Sequence, residues 1–290
     1  AAVTSDAATV PTTDSINTII KTVQSNVAST GSTFTLTNSA ASGNFDNLTG
    51  TSGNDTFIAG PGAAETGDIV NGGTGTDTLQ VRNAADGTNV LVNGVEKVFV
   101  RLDATNAVRT FSLASNTGVT EAWADRVEDT DGAGNGTTLT IAGISKAVTM
   151  GVVGAPASST AAGARGNAVF TLNDVAGSAD TATLALDSAR ANNVTIAGVE
   201  TLNVKGMTGA STVSGQLVAQ QANKLVFSGD QNITIANTDL DQAFASGLSV
   251  DASAMTGNLN IALTEAAKQT FVGGSGNDTV QLRNTLTAND

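Results

Sequence analysis

Short runs in which apolar and polar residues alternate recur along most of the chain. They include Thr138-Leu139-Thr140-Ile141, Val169-Phe170-Thr171-Leu172, Thr183-Leu184-Ala185-Leu186, Val194-Thr195-Ile196, Asn232-Ile233-Thr234-Ile235 and Asn258-Leu259-Asn260-Ile261-Ala262-Leu263. Alternation with a period of two marks a strand with one buried face, and each run is bounded by Gly, Asn, Asp or Ser, the turn formers. A longer period organises the runs. Gly94-Val95-Glu96-Lys97-Val98-Phe99-Val100, Gly118-Val119-Thr120-Glu121-Ala122-Trp123-Ala124, Gly143-Ile144-Ser145-Lys146-Ala147-Val148 and Gly198-Val199-Glu200-Thr201-Leu202-Asn203-Val204 share one shape. The first three begin 24 and 25 residues apart, and further copies start at Ala222, 24 residues on from Gly198, and at Gly247, 25 residues after Ala222. A fixed period of this length predicts a solenoid. With strands this short, the prediction is an all-β fold, a right-handed parallel β-helix whose equivalent positions stack about 4.8 Å apart around an aliphatic interior. Eight coils would make a rod of about 40 Å. A β-sandwich of antiparallel strands is the rival architecture.

Three departures from the period predict other features. Gly- and Ala-rich Val153–Asn167 falls in the irregular interval between Gly143 and Gly198 and predicts a protruding loop. Asp14 is placed to cap a short N-terminal helix with Ile16, Ile19, Ile20, Val23 and Val27 on one face. That helix either covers the first coil or docks on a neighbouring subunit, and the polar segment 1–13 before it reads as an arm. Asp239 and Asp241 predict the cap of another short helix.

Glycine and aspartate carry the candidate chemistry. Gly50-Thr51-Ser52-Gly53-Asn54-Asp55-Thr56-Phe57-Ile58 recurs as Gly72-Gly73-Thr74-Gly75-Thr76-Asp77-Thr78-Leu79-Gln80 and as Gly273-Gly274-Ser275-Gly276-Asn277-Asp278-Thr279-Val280-Gln281. Glycines at the first, second and fourth positions permit a reversal that points successive carbonyls at one centre, and the sixth-position aspartate adds a carboxylate. Calcium takes six to eight oxygens at roughly 2.3–2.6 Å, so one such turn supplies about half a shell and a neighbouring coil the rest. The apolar eighth residues Phe57, Leu79 and Val280 then point inward. Asp68 lies nine residues before Asp77, with Val70 at the eighth position of a degenerate repeat. Residues Gly50–Gln80 thus read as about three coils and Gly273–Gln281 as one, whose predecessor is degraded because Gln269 stands where its Asp would be. Candidate calcium ligands are Gly50, Ser52, Asp55, Asp68, Gly72, Thr74, Asp77, Gly273, Ser275 and Asp278. A second acidic loop, Glu128–Gly136, adds Asp129 and Asp131 with Asp-x-Asp-Gly spacing, though without an EF-hand's fifth-position oxygen or distal Glu. Ordinary Gly-Asn-Asp hairpin turns are the alternative for the nonapeptides, and a solvated turn for the acidic loop.

The nonapeptides resemble those of the repeat-in-toxin (RTX) family. That resemblance implies β-roll-type calcium turns, Ca2+ as the ligand, and secretion. It covers about thirty residues at the front and twenty at the back. The expected organisation is an N-terminal arm and helix over 1–46, calcium coils over 47–82, a solenoid of roughly 24-residue coils over 83–268 and a terminal repeat over 269–290.

Composition narrows the function. The chain has 290 residues, 26 acidic against 13 basic, a net charge of −13, no Cys and no His. Without Cys there are no disulfide staples, and metal ions are the expected cross-links. The acidic balance, with a pI of about 4.2, argues against nucleic acid. No run of 18 apolar residues occurs, so membrane insertion is not expected. Without His neither H-E-x-x-H zinc chemistry nor a Ser-His-Asp triad can form, and no catalysis is expected. A polysaccharide lyase is the enzymatic alternative, with Arg101, Arg109 and Arg126 near Asp103, Asp125 and Asp129, and Trp123 as a stacking ring. RTX turns combined with coils such as Leu248–Ile261 resemble the surface-layer (S-layer) proteins of Gram-negative bacteria. That resemblance implies type I export, a location on the cell surface, assembly as a sheet lattice or filament of like subunits, and contact with cell-surface polysaccharide. An adhesin displaying a binding face is the other class. The opening Ala1-Ala2-Val3 and closing Thr287–Asp290 suggest a processed or excised piece of a longer protein.

Overall fold

The computed structural model describes residues 30–39, 43–129, 136–154, 165–240, 247–264 and 268–283. The helix and arm expected over 1–27, Asp131, Asp241 and most of the predicted loop lie outside these residues. The described chain winds as a right-handed-type parallel β-solenoid of about ten turns. At ~4.8 Å per turn it is about 48 Å long.

One long face runs its length as an 11-stranded parallel sheet from Thr33–Leu36 to Gln269–Val272. Its inward column shows why the alternating runs become strands here. Phe57, Leu79, Val98, Ala122, Met150, Leu184, Val204 and Phe227 stand in register in successive coils, and each is fully buried. Removing such side chains from water is worth roughly 1.5–3 kcal/mol each for the larger ones. Small Ala122 between Val98 and Met150 lets unequal volumes interdigitate. From the facing side Phe111, Ile141, Phe170 and Ile196 form the matching column.

The second face changes position along the rod. Early coils use Asn47–Thr49, Ile69–Asn71 and Leu91–Asn93, a three-stranded strip. Later coils use the sheet that begins at Val108–Ser112. The isolated bridge Asn93–Thr117 extends the first strip and the isolated bridge Thr88–Phe111 the second. The strand pairings are parallel, and Glu128–Arg165 is an isolated antiparallel bridge, so the sandwich alternative does not hold. Among the described residues no helix is long and apolar enough to cross a membrane.

Coil length varies more than the sequence period suggests. Thr78 stacks under Lys97, nineteen residues on, whereas Thr149 stacks under Thr183, thirty-four on. The longest coil is the one that contains the predicted loop. Gly94 and Gly118 do lie against one another, but Gly143 approaches Ala114, and Thr149 rather than Ser145 or Lys146 stands on Glu121. The apparent Gly143 copy is therefore out of register, because side-chain columns, and not glycine positions, set the stacking. Asp239 lies in the strand Ile233–Leu240, where Gln220 Nε2 donates to its Oδ2 at 3.0 Å, and the residues that the expected short helix would occupy lie outside the described ones.

Candidate metal centre

Each front coil has two turns, and one nonapeptide occupies each turn. Asp46 and Asp68 line one edge of the rod, and Asp55 and Asp77 the other. Residues Gly50–Gln80 therefore make about one and a half coils rather than three. Asp55 and Asp77 are neighbours across a coil of twenty-two residues: the Asp55 N–H donates to Asp77 Oδ1 at 2.7 Å. The Ser32 N–H donates to Asp55 Oδ1 at 2.6 Å, and the Asp77 N–H donates to Glu96 Oε2 at 2.7 Å. One carboxylate per coil thus holds the N–H of the coil before it. On the other edge the Asp46 N–H donates to Asp68 Oδ1 at 3.0 Å, and the Glu65 N–H to Asp68 Oδ2 at 2.8 Å.

Asp55, Asp68 and Asp77 are buried, at 1%, 0% and 0% exposure. Their protonation differs with the local donors. Burial is the largest influence on Asp55 and raises its pKa, but the N–H groups of Ser32 and Thr51 and the Thr51 hydroxyl together outweigh it and hold the carboxyl below the usual range. Thr51 replaces the repeat's second glycine, and here it supplies two hydrogen-bond donors. Burial pushes Asp77 up, against the Asp55 N–H, and the charges of Asp55 and Glu96 push the same way. Asp68 is raised by burial and by Asp46 and Glu65, against two N–H groups.

The turn between these coils fits a calcium ion. Asp77 Oδ2 is buried without a hydrogen-bond partner, an orphan that costs free energy unless a cation compensates it. A Cβ at Gly72 would lie 1.9 Å from the Gly94 carbonyl oxygen and 2.5 Å from Asp77 Oδ2, so only glycine leaves that space open. At Gly50 the corresponding distances are 2.1 Å to the Gly72 oxygen and 2.5 Å to Asp55 Oδ2. Gly75, with φ 129°, comes within 2.5 Å of the Gly53 carbonyl by the same measure. All these donors are hard oxygens, the type calcium prefers. Among the described residues no three acidic side chains gather as a metal-binding group, so carbonyls must supply most of the shell. Asp77 with the Gly94 carbonyl, and Asp55 with the Gly72 carbonyl, would hold the ion, which would neutralise the buried charge and tie neighbouring coils together. Ser52 is exposed and Thr74 contributes its N–H to the Thr51 carbonyl at 3.3 Å.

The terminal repeat repeats this stacking with one change. The Asn277 N–H donates to Asn258 Oδ1 at 2.8 Å just as the Thr76 N–H donates to Asn54 Oδ1, also at 2.8 Å. Asp278 Oδ1 accepts the Leu259 N–H at 2.9 Å, and Oδ2 the Gly274 N–H at 2.8 Å. Leu259 thus occupies the place Asp55 has at the front, and the structural predecessor of Asp278 is nineteen residues back, not the strand residue Gln269. The Ser275 N–H donates to the Met255 carbonyl at 3.0 Å, and a Cβ at Gly273 would lie 3.0 Å from Asp278 Oδ2. Asp129 is remote from these turns: its Oδ2 accepts the N–H groups of Gly136 and Thr137 at 3.1 and 3.4 Å, which closes its own loop.

Several of these residues were not anticipated from the sequence. Asp46 stands nine residues before Asp55, a readable spacing, but Ala41, Ser42 and Asn44 replace the glycines of its repeat. Glu96 and Glu200 share the segment Gly-Val-Glu, and the Asp180 N–H donates to Glu200 Oε2 at 2.7 Å as Asp77 does to Glu96. At Asp180, however, the Lys146 ammonium pairs with Oδ1, supplying a cation from within the chain. The chain matches the RTX calcium-binding nonapeptide repeat in four copies, across 41–79 and 268–282. No curated protein and no solved structure matches it. Repeats of this kind bind Ca2+.

Proposed function

From the premise of calcium-binding repeats placed toward both ends of a rod, we propose that the protein is a non-catalytic, extracellular structural subunit, an S-layer component that assembles with copies of itself. That placement is the observation that carries the reading. Parallel coils make a stiff element, and the front turns become rigid when the ion neutralises Asp55 and Asp77. The last described turn offers Asp278 on a coil whose partner position is apolar Leu259. A turn of a neighbouring subunit would complete its oxygen set, and such a head-to-tail contact propagates rather than closes. Millimolar extracellular calcium suits modules with Kd around 10⁻⁴–10⁻³ M, which favours folding after export.

Negative-stain microscopy with and without calcium tests the assembly. Sheets or filaments that form with calcium and disperse in chelator support it. Dispersed single rods at millimolar calcium overturn it and favour the adhesin.

A further inference from the structure

We infer that the long face carries a saccharide-binding groove centred on Phe99 and Arg126. Ile58, Gln80, Phe99 and Trp123 form one outward row, one residue per coil. Beside it a groove of about 350 Å³ is lined by Ile58, Gln80, Phe99, Arg82, Arg101 and Arg126. That volume lies in the range of small-molecule sites, roughly 300–1,000 Å³.

Three observations distinguish this groove from an ordinary polar surface. The first is strain: Arg101 faces both Asp125 and Arg126 across a β-bulge, and Arg126 has a φ of 49°, unfavourable for a residue with a Cβ. Gly154 makes room for it, since a Cβ there would lie 2.9 Å from Arg126 Cγ. Such conformations persist where the surroundings enforce them, and they cluster at binding sites.

The second is charge balance. Arg82 and Arg101 reach Asp103 at 2.9 and 2.7 Å, Arg101 reaches Glu128 at 3.6 Å, and Arg126 reaches Asp125 at 3.5 Å. Three of the chain's 13 basic residues gather here, each compensated by a carboxylate. The groove therefore presents fixed donors and acceptors with little net charge. Sugar hydroxyls both donate and accept, and match that mixture. A polyanion would instead meet the field of a chain carrying a net −13.

The third is the ring. Phe99 stacks on Trp123 with centroids 5.8 Å apart and planes 9° from parallel. Trp123 is held in turn by its Nε1–H donating to Glu121 Oε2 at 2.8 Å. A fixed aromatic ring beside hydrogen-bonding groups suits the apolar face and polar rim of a hexose. Uncharged hexose chains are accordingly the ligand class.

This rests on the S-layer reading proposed above and adds to it a ligand for the exposed face of the subunit, and it is tested on dispersed subunits. Trp123 is the chain's single tryptophan, so its emission reports on the groove. Calcium-loaded protein is titrated with maltohexaose, cellohexaose and mannohexaose, and with trigalacturonate for contrast. A saturable change with a neutral oligosaccharide is expected, weakened at least tenfold in Phe99→Ala and in Arg126→Gly while calcium-dependent melting is retained. Arg126→Gly also relieves the positive φ, which keeps that variant folded. No response to any neutral oligosaccharide, undiminished binding in both variants, or a preference for trigalacturonate overturns the inference. A subunit that assembles without binding sugar fails this inference alone, and one that binds without assembling fails the assembly reading alone.

Discussion

At the residue scale, a backbone approach and a buried carboxylate set the behaviour of the front turns. Gly72→Ala places a Cβ 1.9 Å from a carbonyl oxygen, whereas a Cβ at Gly60 meets nothing within 4 Å. Thermal unfolding should therefore show a large loss for Gly72→Ala and a change within about 0.5 kcal/mol for Gly60→Ala. Equal losses would mean the turn relaxes freely. Asp77 adds a pH signature. Its folded pKa is raised, so the unfolded chain gives up this proton first, near the ordinary carboxylate value of about 3.9. In chelator, its contribution to stability is favourable below that value and is lost as pH climbs through the folded pKa. Asp68 acts in the same direction, while Asp55, with a lowered pKa, stabilises above the unfolded value and loses this as pH falls through the folded one. Melting in chelator from pH 4 upward should lose part of its downward slope in Asp77→Asn, and the same variant should gain less from calcium at neutral pH. A slope identical to wild type would remove Asp77 from the account. These residues were legible in the sequence because the nonapeptide fixes their spacing. Asp46 and Glu96 escaped it because contacts across a coil tolerate degenerate repeats.

At the element scale, successive coils use different cations. Among the described residues the front coils oppose Asp55, Asp77 and Glu96 with no ammonium group as a hydrogen-bond partner, whereas the middle coil opposes Asp180 with Lys146. Lys146 is held protonated by its hydrogen bond to Asp180, with further support from Asp174 and Glu200. Because solenoid coils interact with their nearest neighbours, loss of calcium should loosen one end without melting the rod. Hydrogen exchange in chelator should show amides in Thr56–Ala59 and Thr78–Arg82 losing protection while those in Thr201–Gly206 retain it. Uniform loss would show one cooperative unit. Lys146→Ala should lower the melting temperature equally with and without calcium, in contrast to Asp77→Asn. A penalty confined to one condition would contradict an internal cation. The alternating runs made the strands readable in advance. Coil length was not, because a thirty-four-residue coil and a nineteen-residue coil present the same inward column.

At the scale of the whole molecule, the net charge of −13 repels itself in the compact state. An ion that binds only folded coils stabilises them by mass action, about 1.4 kcal/mol per site at tenfold excess over Kd. The melting temperature should rise with the logarithm of calcium concentration. Salt screens surface repulsion but leaves the buried Asp77 oxygen without a partner, so sodium chloride in chelator should recover part of the calcium gain and not all of it. Full recovery by salt would reduce calcium to a counter-ion.

The amino-acid order by itself determined a parallel spiral with aliphatic columns and oxygen-rich turns at Asp55, Asp77 and Asp278. Strand alternation, glycine placement and nine-residue spacing are local properties that survive in one dimension. Tertiary structure alone decided which turns are neighbours: that Asp77 sits on Asp55, that Leu259 faces Asp278, that Lys146 meets Asp180, and that Arg126 bulges beside Phe99. Those pairings join residues about twenty to thirty-four positions apart through coils of unequal length, and only the side-chain register of the stacked sheets fixes them.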